Sequence, residues 1–538
     1  MANLTPLHKQ SLSFQDNSVT EVREWWRGLN VEISANKGVY VILAVILLGA
    51  FLVRVWRIDQ LLGFYYDQGR DAKIIWDLLH NGKFFLIGPT TGIEGIFRGP
   101  WYYWLIAPFY FLGKGDPVWP SIFLSFTTVA AILVLYVLGV MVQGRITGLV
   151  AATIASFSFT LVYASRWLSN PTPMFLISML LVLSLFLIIK GKRWAWIITG
   201  FMLGFAMQFG SAAEIFYFPA VAIFALWLAS SRSGQRKNLP DIRTLLLASC
   251  LFLITLLPQI IFDLRHDGIL RAGIIKFLFG EDSFKSSFWE VVKIRFPFYF
   301  DVFFSKIFLG AQNYKVFFAA VVVFSLLINR IQLFKNSNFL TLLLLFISAL
   351  FGMLFFRGNY GNVYDYYFTG YYLIFVLIFA VLLGMLAQGI LGKVILGIFV
   401  YLFLQVNVPV ARGYITAGVD GPTTIAFGNQ KQAINWVYED AGAAPFNVDS
   451  YVPPVIPYAY DYLFLWWGTT RYGIVPKEEH VPLLYTLYEV DPPHPERLDA
   501  WLARQVNIGK VEKEVRFGGI TVQKRHRVTQ QPSNPVTK

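Results

Sequence analysis

Long apolar segments recur along most of this chain, and they restrict its possible folds more than any other feature. Eleven runs of 17 or more mainly apolar residues lie between about residue 38 and about residue 409. A helix needs roughly 20 such residues to cross a bilayer, and about 17 is the lower limit. The runs are 38–54, 118–140, 146–163, 171–190, 194–210, 212–230, 242–263, 313–330, 338–356, 366–387 and 391–409. The sequence therefore predicts a polytopic α-helical membrane protein with about eleven transmembrane helices.

The distribution of charge supports this prediction and indicates an orientation. Only 14% of the 538 residues are charged, whereas a soluble domain has about 25%. If the N-terminus is cytoplasmic, the short cytoplasmic connections hold about eleven basic residues and one acid, Asp241, while the short outer connections hold only Arg166 and Arg357. This is the positive-inside asymmetry of membrane proteins, and it accounts for the net charge of +13. The sequence has no basic stripe interleaved with aromatic residues, which is the pattern typical of proteins that bind single-stranded nucleic acid.

This orientation predicts three regions. They are a cytoplasmic N-terminal segment (1–37), a transmembrane domain (38–409) with large outer loops at 55–117 and 264–312, and an extracytoplasmic C-terminal domain (410–538). The first apolar run is expected to be a signal anchor, since no cleavage site follows it. The single cysteine, Cys250, allows no disulfide within the chain.

Several segments outside the predicted spans also have helical or strand patterns. Pro100 to Gly113 is apolar but only about fourteen residues long, so we expect a helix at the membrane interface. The segment IKFLFGEDSFKSSFWEVVKIRF in the second large loop predicts another interfacial helix. In the tail, a helix at 430–440 closed by Gly442 and strands at 446–452 and 516–524 predict a small α/β domain.

The first outer loop carries the residues best suited to chemistry. Asp67 follows an aromatic run and precedes a helical stretch, so its carboxylate either caps a helix or takes part in a reaction at the membrane surface. Asp71, four residues later, lies on the same helical face. Arg98 stands where the chain returns to the membrane interface. A cation at this position is suited either to anchoring lipid headgroups or to binding a substrate phosphate.

At these residues the sequence resembles the family 39 glycosyltransferases of the GT-C class, which include protein O-mannosyltransferases and the lipid A aminoarabinose transferase. In that class the first outer loop carries an Asp before a helix that ends in a Gly-aromatic turn, and a basic Pro-containing element and an aromatic helix follow. The corresponding segments here are Asp67-Gln68-Gly69-Arg70, Gly82-Lys83-Phe84, Arg98-Gly99-Pro100, Trp101-Tyr102-Tyr103-Trp104, Gln143-Gly144-Arg145 and Ala164-Ser165-Arg166-Trp167-Leu168-Ser169-Asn170. These motifs fall within residues 38 to 230, and beyond them the likeness is one of architecture.

The resemblance implies an inverting transfer from a polyprenyl-phosphate sugar. Asp67 would deprotonate the acceptor hydroxyl, and cations would stabilise the leaving phosphate. Three cationic positions are candidates for that phosphate: Arg98 first, then Arg265 with His266, then Arg357. Arg265 is equally suited to pairing with a neighbouring acid, and Arg357 to snorkelling at the end of a span. The other candidates for substrate contact are Asp71, Asn170, Tyr102 and Tyr366.

Two departures from the family pattern argue against a metal. Gln68 stands where the family usually has Glu, and Asn170 stands where many relatives carry a second acid. We therefore expect neither a metal nor another cofactor. Asn170 is suited to a sugar hydroxyl or, preferably, to capping the helix that starts near Pro171.

Two other classes of function remain open. A transporter or glycolipid flippase would place ionisable residues within its spans, whereas the spans here are nearly free of charge and the acids cluster at the outer surface. A membrane scaffold would leave the first-loop motifs without a purpose. The expected partners are the lipid-linked donor, an acceptor glycan, lipid or protein, and membrane lipids. The resemblance implies a prokaryotic inner membrane.

Overall fold

The apolar part of the chain folds into a bundle of helices. The structure is a computed structural model that describes residues 31–91, 95–230, 235–279, 287–356, 358, 361–453 and 456–527. The helices up to the last apolar run are α1 (Lys37–Val55), α2 (Ile58–Leu61), α3 (Tyr66–Asn81), α4 (Trp101–Leu112), α5 (Val118–Val142), α6 (Arg145–Phe157), α7 (Phe159–Arg166), α8 (Met174–Ile189), α9 (Ala195–Phe209), α10 (Tyr217–Ser230), α11 (Ile242–Arg265), α12 (Ile269–Phe279), α13 (Phe288–Phe304), α14 (Gln312–Ile328), α15 (Arg330–Lys335), α16 (Ser337–Leu354), α17 (Tyr372–Leu386) and α18 (Ile390–Thr416). Short 3₁₀ helices at Ala213–Phe216, Gln235–Asn238 and Asp365–Tyr371 complete this part.

Each of the eleven predicted apolar segments is helical. Among the described residues, seven helical segments are long and apolar enough to cross a membrane: α1, α5, α11, α16, α18, α10 with its 3₁₀ turn and α17 with its 3₁₀ turn. The pair α6 and α7, bent by 60°, adds an eighth if it is one span. The remaining three segments are the shorter apolar helices α8, α9 and α14. The polytopic helical fold is thus as predicted.

Burial distinguishes the centre of the bundle from its rim. The most apolar part of Asp365–Leu386 is 94% buried, whereas the corresponding part of Ile242–Arg265 is 17% buried. The exposed side chains of α11 are mainly Leu and Ile, which suit contact with lipid tails. α17 is therefore the central helix of the bundle, and α11 lies at its periphery.

The first outer loop contains the short helix α2 and two longer helices, α3 and α4. α3 begins with a capping box, in which Gln68 Oε1 accepts the Tyr65 backbone N–H at 3.1 Å, and it ends at Gly82 with a φ of 62°. α4 spans twelve residues around Pro108, in agreement with a helix too short to cross the bilayer. Its Tyr102 and Tyr103 are fully buried. The loop is therefore a packed part of the molecule.

The second large loop differs from the prediction. The segment expected to be one interfacial helix contributes instead to two helices, α12 and α13. Residues 280–286, between them, lie outside the described residues. Ser287 caps α13 by accepting the Glu290 backbone N–H, which explains why a new helix begins there.

The C-terminal region is a small α/β unit. It contains α19 (Phe427–Ala441), β1 (Phe446–Tyr451), α20 (Tyr458–Trp467), β2 (Leu483–Glu489), α21 (Pro495–Val506), β3 (Gly509–Phe517) and β4 (Ile520–Arg527). The strand order is β1-β2-β4-β3, with β1 and β2 parallel and the other neighbours antiparallel. The helix closed by Gly442 and the strand at 446–452 are confirmed. The single strand at 516–524 is wrong, because the chain turns at Gly518, whose φ is 58°, and forms a hairpin.

α20 attaches this unit to the first outer loop. The rings of Tyr458 and Tyr66 are 5.0 Å apart, and Trp466 Nε1 donates to the Lys114 carbonyl at 2.9 Å. At Gly69 a Cβ would lie only 2.3 Å from the Ala459 backbone nitrogen. α20 thus packs directly on the helix that carries Asp67.

Candidate functional site

A cavity of about 1700 Å³ lies where the outer loops meet the bundle. Its polar end includes side chains from both large outer loops, from the turn after α7 and from the 3₁₀ turn before α17. Its apolar wall comes mainly from α10 and α16 and includes Pro219, Ile223, Leu344, Ile347, Phe351 and Phe355. The cavity therefore joins a charged region to an apolar groove.

Asp67 is the most accessible carboxylate of the polar end. Its side chain is 65% exposed, and Arg70 Nη1 lies 3.0 Å from its Oδ1. It stands in the first turn of α3, where the helix dipole favours a negative charge. Gln68, not Asp67, makes the capping contact with the Tyr65 backbone. Asp67 is therefore exposed to the cavity, with Arg70 as its ion-pair partner.

Asp71 has the opposite environment. It is 5% exposed, Arg70 Nη2 lies 2.7 Å from its Oδ1, and the Tyr103 hydroxyl donates to the same oxygen at 2.8 Å. Burial raises its pKa to about 6, although Arg70 and Tyr103 act in the other direction. Both acids line the cavity, as their four-residue spacing predicts, but Asp71 mainly holds Arg70 in place.

The two residues that depart from the family pattern have packed amide side chains. Gln68 Nε2 donates to the Leu168 carbonyl at 3.0 Å, and Asn170 Nδ2 donates to the Phe209 carbonyl at 3.1 Å. Asn170 does not cap the following helix, because α8 begins only at Met174. Asn170 lines the cavity, and its Oδ1 is buried without a hydrogen-bond partner among the described residues.

Arg98 enters the cavity from a tightly held loop. Gly88 donates to the Arg98 carbonyl at 2.8 Å, and Gln259 Nε2 donates to the carbonyl of Phe97 at 2.9 Å. The guanidinium donates to the Gly210 carbonyl. Burial lowers the pKa of Arg98, while Glu214, tyrosines including Tyr366, and Asp67 act electrostatically to raise it. Arg98 and Asp67 therefore belong to the same electrostatic environment.

Lys306 is a further cation of the cavity, beside Arg70 and Arg98, and no sequence pattern points to it. It is almost fully buried, and its Nζ lies 2.9 Å and 2.7 Å from the two carboxylate oxygens of Asp365. Both residues line the cavity. Burial lowers the pKa of Lys306, and Asp365 opposes this effect. Neither residue stands in a recognisable motif, and they are separated by 59 residues. Only the tertiary fold brings them together.

The predicted site residues fall into three groups. Five of them line the cavity: Asp67, Asp71, Arg98, Asn170 and Tyr366. Three do not: Arg265 is exposed at the end of α11, His266 stacks on Phe262 at 4.1 Å, and Tyr102 is buried within the first outer loop. Arg357 lies outside the described residues. The cavity also contains Arg70, which stands one helical turn after Asp67 and could have been found from that spacing.

No metal-binding arrangement is present in the described parts of the chain, where no group of three or more His, Cys, Asp and Glu side chains is placed to hold an ion. Two of the cavity's cations, Arg70 and Lys306, are paired with carboxylates, whereas Arg98 donates to the Gly210 carbonyl. Such a site offers two accessible carboxylates, Asp67 and Asp365, and fixed positive charges beside an apolar groove.

Comparisons with known proteins agree with this architecture. Residues 98–262 match a family model described as dolichyl-phosphate-mannose-protein mannosyltransferase. The fold is similar to the crystal structure of ArnT from Cupriavidus metallidurans in the apo state, with a TM-score of 0.55, 12% identity and coverage of 91% of this chain and 98% of that chain. The structure of that protein bound to undecaprenyl phosphate gives a TM-score of 0.53, 13% identity and the same coverage. No curated protein sequence gives a significant match. The predicted resemblance to GT-C glycosyltransferases is confirmed, and so is the fold.

Proposed function

We propose that the chain is an inverting glycosyltransferase that moves a sugar from a polyprenyl-phosphate carrier to an acceptor hydroxyl outside the cytoplasm. The observation that carries this proposal is the presence of an accessible carboxylate, Asp67, and a cation, Arg98, in one cavity that continues into an apolar groove. A lipid-linked sugar phosphate likewise joins a long apolar chain to a charged phosphate and a polar sugar. The family match over 98–262 adds support.

The groove suits the lipid part of the donor. The side chains of Ile215, Ile223, Ile347, Phe351 and Phe355 are exposed although they are apolar, and all five line the cavity. Exposed apolar surface of this kind is typical of binding sites for apolar ligands. A polyprenyl chain along this wall would bring its phosphate to the polar end. Undecaprenyl phosphate, which ArnT binds in its crystal structure, is a donor carrier of this type.

The reaction follows from the charges at the polar end. Asp67 takes the proton of the acceptor hydroxyl as that oxygen attacks the anomeric carbon. The bond between the anomeric carbon and the phosphate oxygen breaks on the opposite face, and the electron pair leaves with the phosphate. Arg98 stabilises the charge that accumulates there. Because the leaving phosphate is ionised at neutral pH, it needs positive charge more than it needs a proton.

The orientation of the chain is part of this proposal. The basic short connections support a cytoplasmic N-terminus, which would place the cavity and the C-terminal unit on the outer side. A prokaryotic inner membrane and a role of residues 410–538 in binding the acceptor are consistent with this arrangement. The acceptor would be a hydroxyl of a glycan, a lipid or a protein.

Transfer of radiolabelled sugar in purified membranes tests the proposal. A panel of undecaprenyl-phosphate monosaccharides would serve as donors for the wild type, Asp67→Asn and Asp301→Asn. Loss of the base should lower transfer by at least about 100-fold. Asp301 is a matched control, because it is an exposed acid that pairs with Lys315 and does not line the cavity. Equal transfer by wild type and Asp67→Asn would reject Asp67 as the base, and absence of transfer from every donor would count against the enzyme class.

A further inference from the structure

The ion pair of Lys306 and Asp365 has a geometry that stability alone does not explain. The Lys306 side chain is 3% exposed, whereas the Asp365 carboxylate is 50% exposed and lines the cavity. Removing an ammonium group from water is costly, and an apolar residue of similar size often gives equal or greater stability. The pair is therefore weak evidence for a purely structural role. The Asp365 carboxylate accepts from Lys306 and, at Oδ1, from the Tyr372 hydroxyl, and half of its side-chain surface is still exposed to a ligand.

Asp365 is held in one orientation by its surroundings. Lys306 contacts both of its carboxylate oxygens, and the hydroxyl of Tyr372 donates to its backbone carbonyl at 2.7 Å. The Lys306 ammonium also lies 4.3 Å from the centroid of the Tyr372 ring. These contacts fix the carboxylate before any ligand binds. A fixed acceptor loses little freedom on binding and so discriminates well between ligands.

Two tyrosines, Tyr364 and Tyr366, flank Asp365 in the sequence and line the cavity with it. The rings of Tyr364 and Tyr366 are parallel within 6°, with centroids 5.7 Å apart, and both residues are about half exposed and line the cavity. Tyr366 also interacts electrostatically with Arg98. Asp365 and the two tyrosines therefore line the same cavity as Arg98, the cation proposed to bind the carrier phosphate.

The other accessible groups of the cavity fit the remaining parts of the substrates. The apolar wall suits the lipid, Arg98 suits the phosphate and Asp67 suits the acceptor hydroxyl. A carboxylate repels phosphate and does not favour an apolar chain. A ligand with several hydroxyl groups matches it, since each hydroxyl donates a hydrogen bond. Aromatic rings complement such a ligand by packing against its apolar C–H face.

We propose that Asp365 and Tyr366 form the binding subsite for the sugar carried by the lipid phosphate. Asp365 accepts hydrogen bonds from the sugar hydroxyls, the Tyr366 ring packs against the sugar ring, and Lys306 is a positioning residue that orients Asp365. This subsite rests on the proposed function, because it assumes a lipid-linked sugar in the cavity. It assigns sugar selectivity to residues on the 3₁₀ turn before the central helix α17.

Binding measurements on the full-length purified protein test this subsite without any transfer reaction. The probes are undecaprenyl phosphate and a panel of undecaprenyl-phosphate monosaccharides that differ in their hydroxyl groups. We expect the wild type to bind at least one sugar-bearing lipid on the order of tenfold more tightly than bare undecaprenyl phosphate. Asp365→Asn should lose this preference and keep its affinity for the bare lipid within about twofold.

Two further variants separate the proposed role from a folding defect. Lys306→Met with Asp365→Asn removes both charges, so no buried cation is left unpaired, and it should lose the preference as well. Asp301→Asn disrupts a similar pair, in which Lys315 is buried and Asp301 is 67% exposed outside the cavity, and it should keep the preference. Retained preference in Asp365→Asn, or an equal loss of affinity for both lipids, would overturn the subsite and leave the proposed function standing. Failure of the wild type to bind any undecaprenyl phosphate would overturn both.

Discussion

Asp67 and Asp71 stand one helical turn apart on α3, and their environments give them different chemistry. Asp67 is open to the cavity, while Asp71 is buried against Arg70 and Tyr103. The spacing of the two acids predicts that they share a face. It does not predict which one is buried, because that depends on how α4 packs over α3. The choice of Asp67 as the base therefore gains support from the structure that the motif alone does not provide.

The cationic candidates also differ in their position relative to the cavity. Arg98 lines the cavity, whereas Arg265, chosen from sequence on similar grounds, is exposed at the end of α11 and does not. Proximity in sequence to the end of a span indicates that a cation lies near the membrane surface. It does not show which way the side chain points. Lys306, which carries no sequence signal, lies in the cavity that Arg265 does not reach.

These positions predict different results for substitution of the two arginines. Arg98→Ala should weaken binding of bare undecaprenyl phosphate by about 10- to 100-fold, because a hydrogen-bonded charge near the phosphate is lost. Arg98→Lys should retain part of the affinity, since it keeps the charge but loses the planar guanidinium. Arg265→Ala is the matched control and should bind as the wild type does. Equal affinities for Arg98→Ala and Arg265→Ala would place the phosphate elsewhere.

At the scale of elements, the sequence predicts where the helices lie in the chain better than it predicts which elements they pack against. The apolar runs give the positions of the bundle helices because a membrane span requires a minimum length. The hairpin of β3 and β4 was missed, although a Gly-Gly pair between alternating residues is a hairpin signal. The aromatic segment Tyr458–Trp467 that forms α20 has no sequence pattern that identifies its packing partner. Its actual contact, the N-terminal half of α3, depends on packing between segments almost 400 residues apart.

Gly69 makes the contact between α3 and α20 testable. A Cβ at this position would lie 2.3 Å from the Ala459 nitrogen and 2.4 Å from the Tyr458 carbonyl oxygen, both of which are backbone atoms. Gly69→Ala should therefore push the two helices apart and destabilise the protein by roughly 1 to 3 kcal/mol. Transfer should fall too, because α3 carries Asp67. The Tm of the purified protein and the transfer rate in membranes measure the two effects.

Gly413→Ala provides the control for this substitution. Gly413 lies within α18, and a Cβ there would have no heavy atom within 4 Å. Because alanine favours a helix over glycine by up to about 1 kcal/mol, this variant should be as stable as the wild type or slightly more stable. If Gly69→Ala behaves in the same way, α20 does not press against α3 as closely as the structure indicates.

At the scale of the molecule, the polytopic fold follows from the sequence, but the cavity does not. Its polar end combines residues as distant as Asp67 and Asp365, and no local pattern relates the two. The sequence indicates an outer surface rich in functional residues, since charge is concentrated in the loops. The positions of these residues around one groove are set by the way both large loops pack against the bundle.

A final prediction concerns the junction between the C-terminal unit and the first outer loop. Glu489 is buried there and accepts the Tyr460 hydroxyl hydrogen bond at 2.8 Å, while the neighbouring Gln430 donates to the Phe64 carbonyl. Burial raises the pKa of Glu489 to about 7 from an ordinary value of 4.5. Because the folded protein favours the protonated acid, stability should fall as the pH rises from about 4.5 to about 7, by on the order of 3 kcal/mol from this group.

Glu489→Gln should remove this contribution to the pH dependence. The amide oxygen still accepts the Tyr460 hydrogen bond and carries no charge at any pH. The variant should therefore match the wild type near pH 4.5 and be more stable at pH 8, whereas replacement of the exposed Glu512 by Gln should leave the pH profile unchanged. Thermal unfolding of the three purified proteins at pH 5, 6.5 and 8 measures the difference. A wild type that gains stability relative to Glu489→Gln as the pH rises would mean that the carboxylate is ionised and stabilised at the junction, contrary to the burial described here.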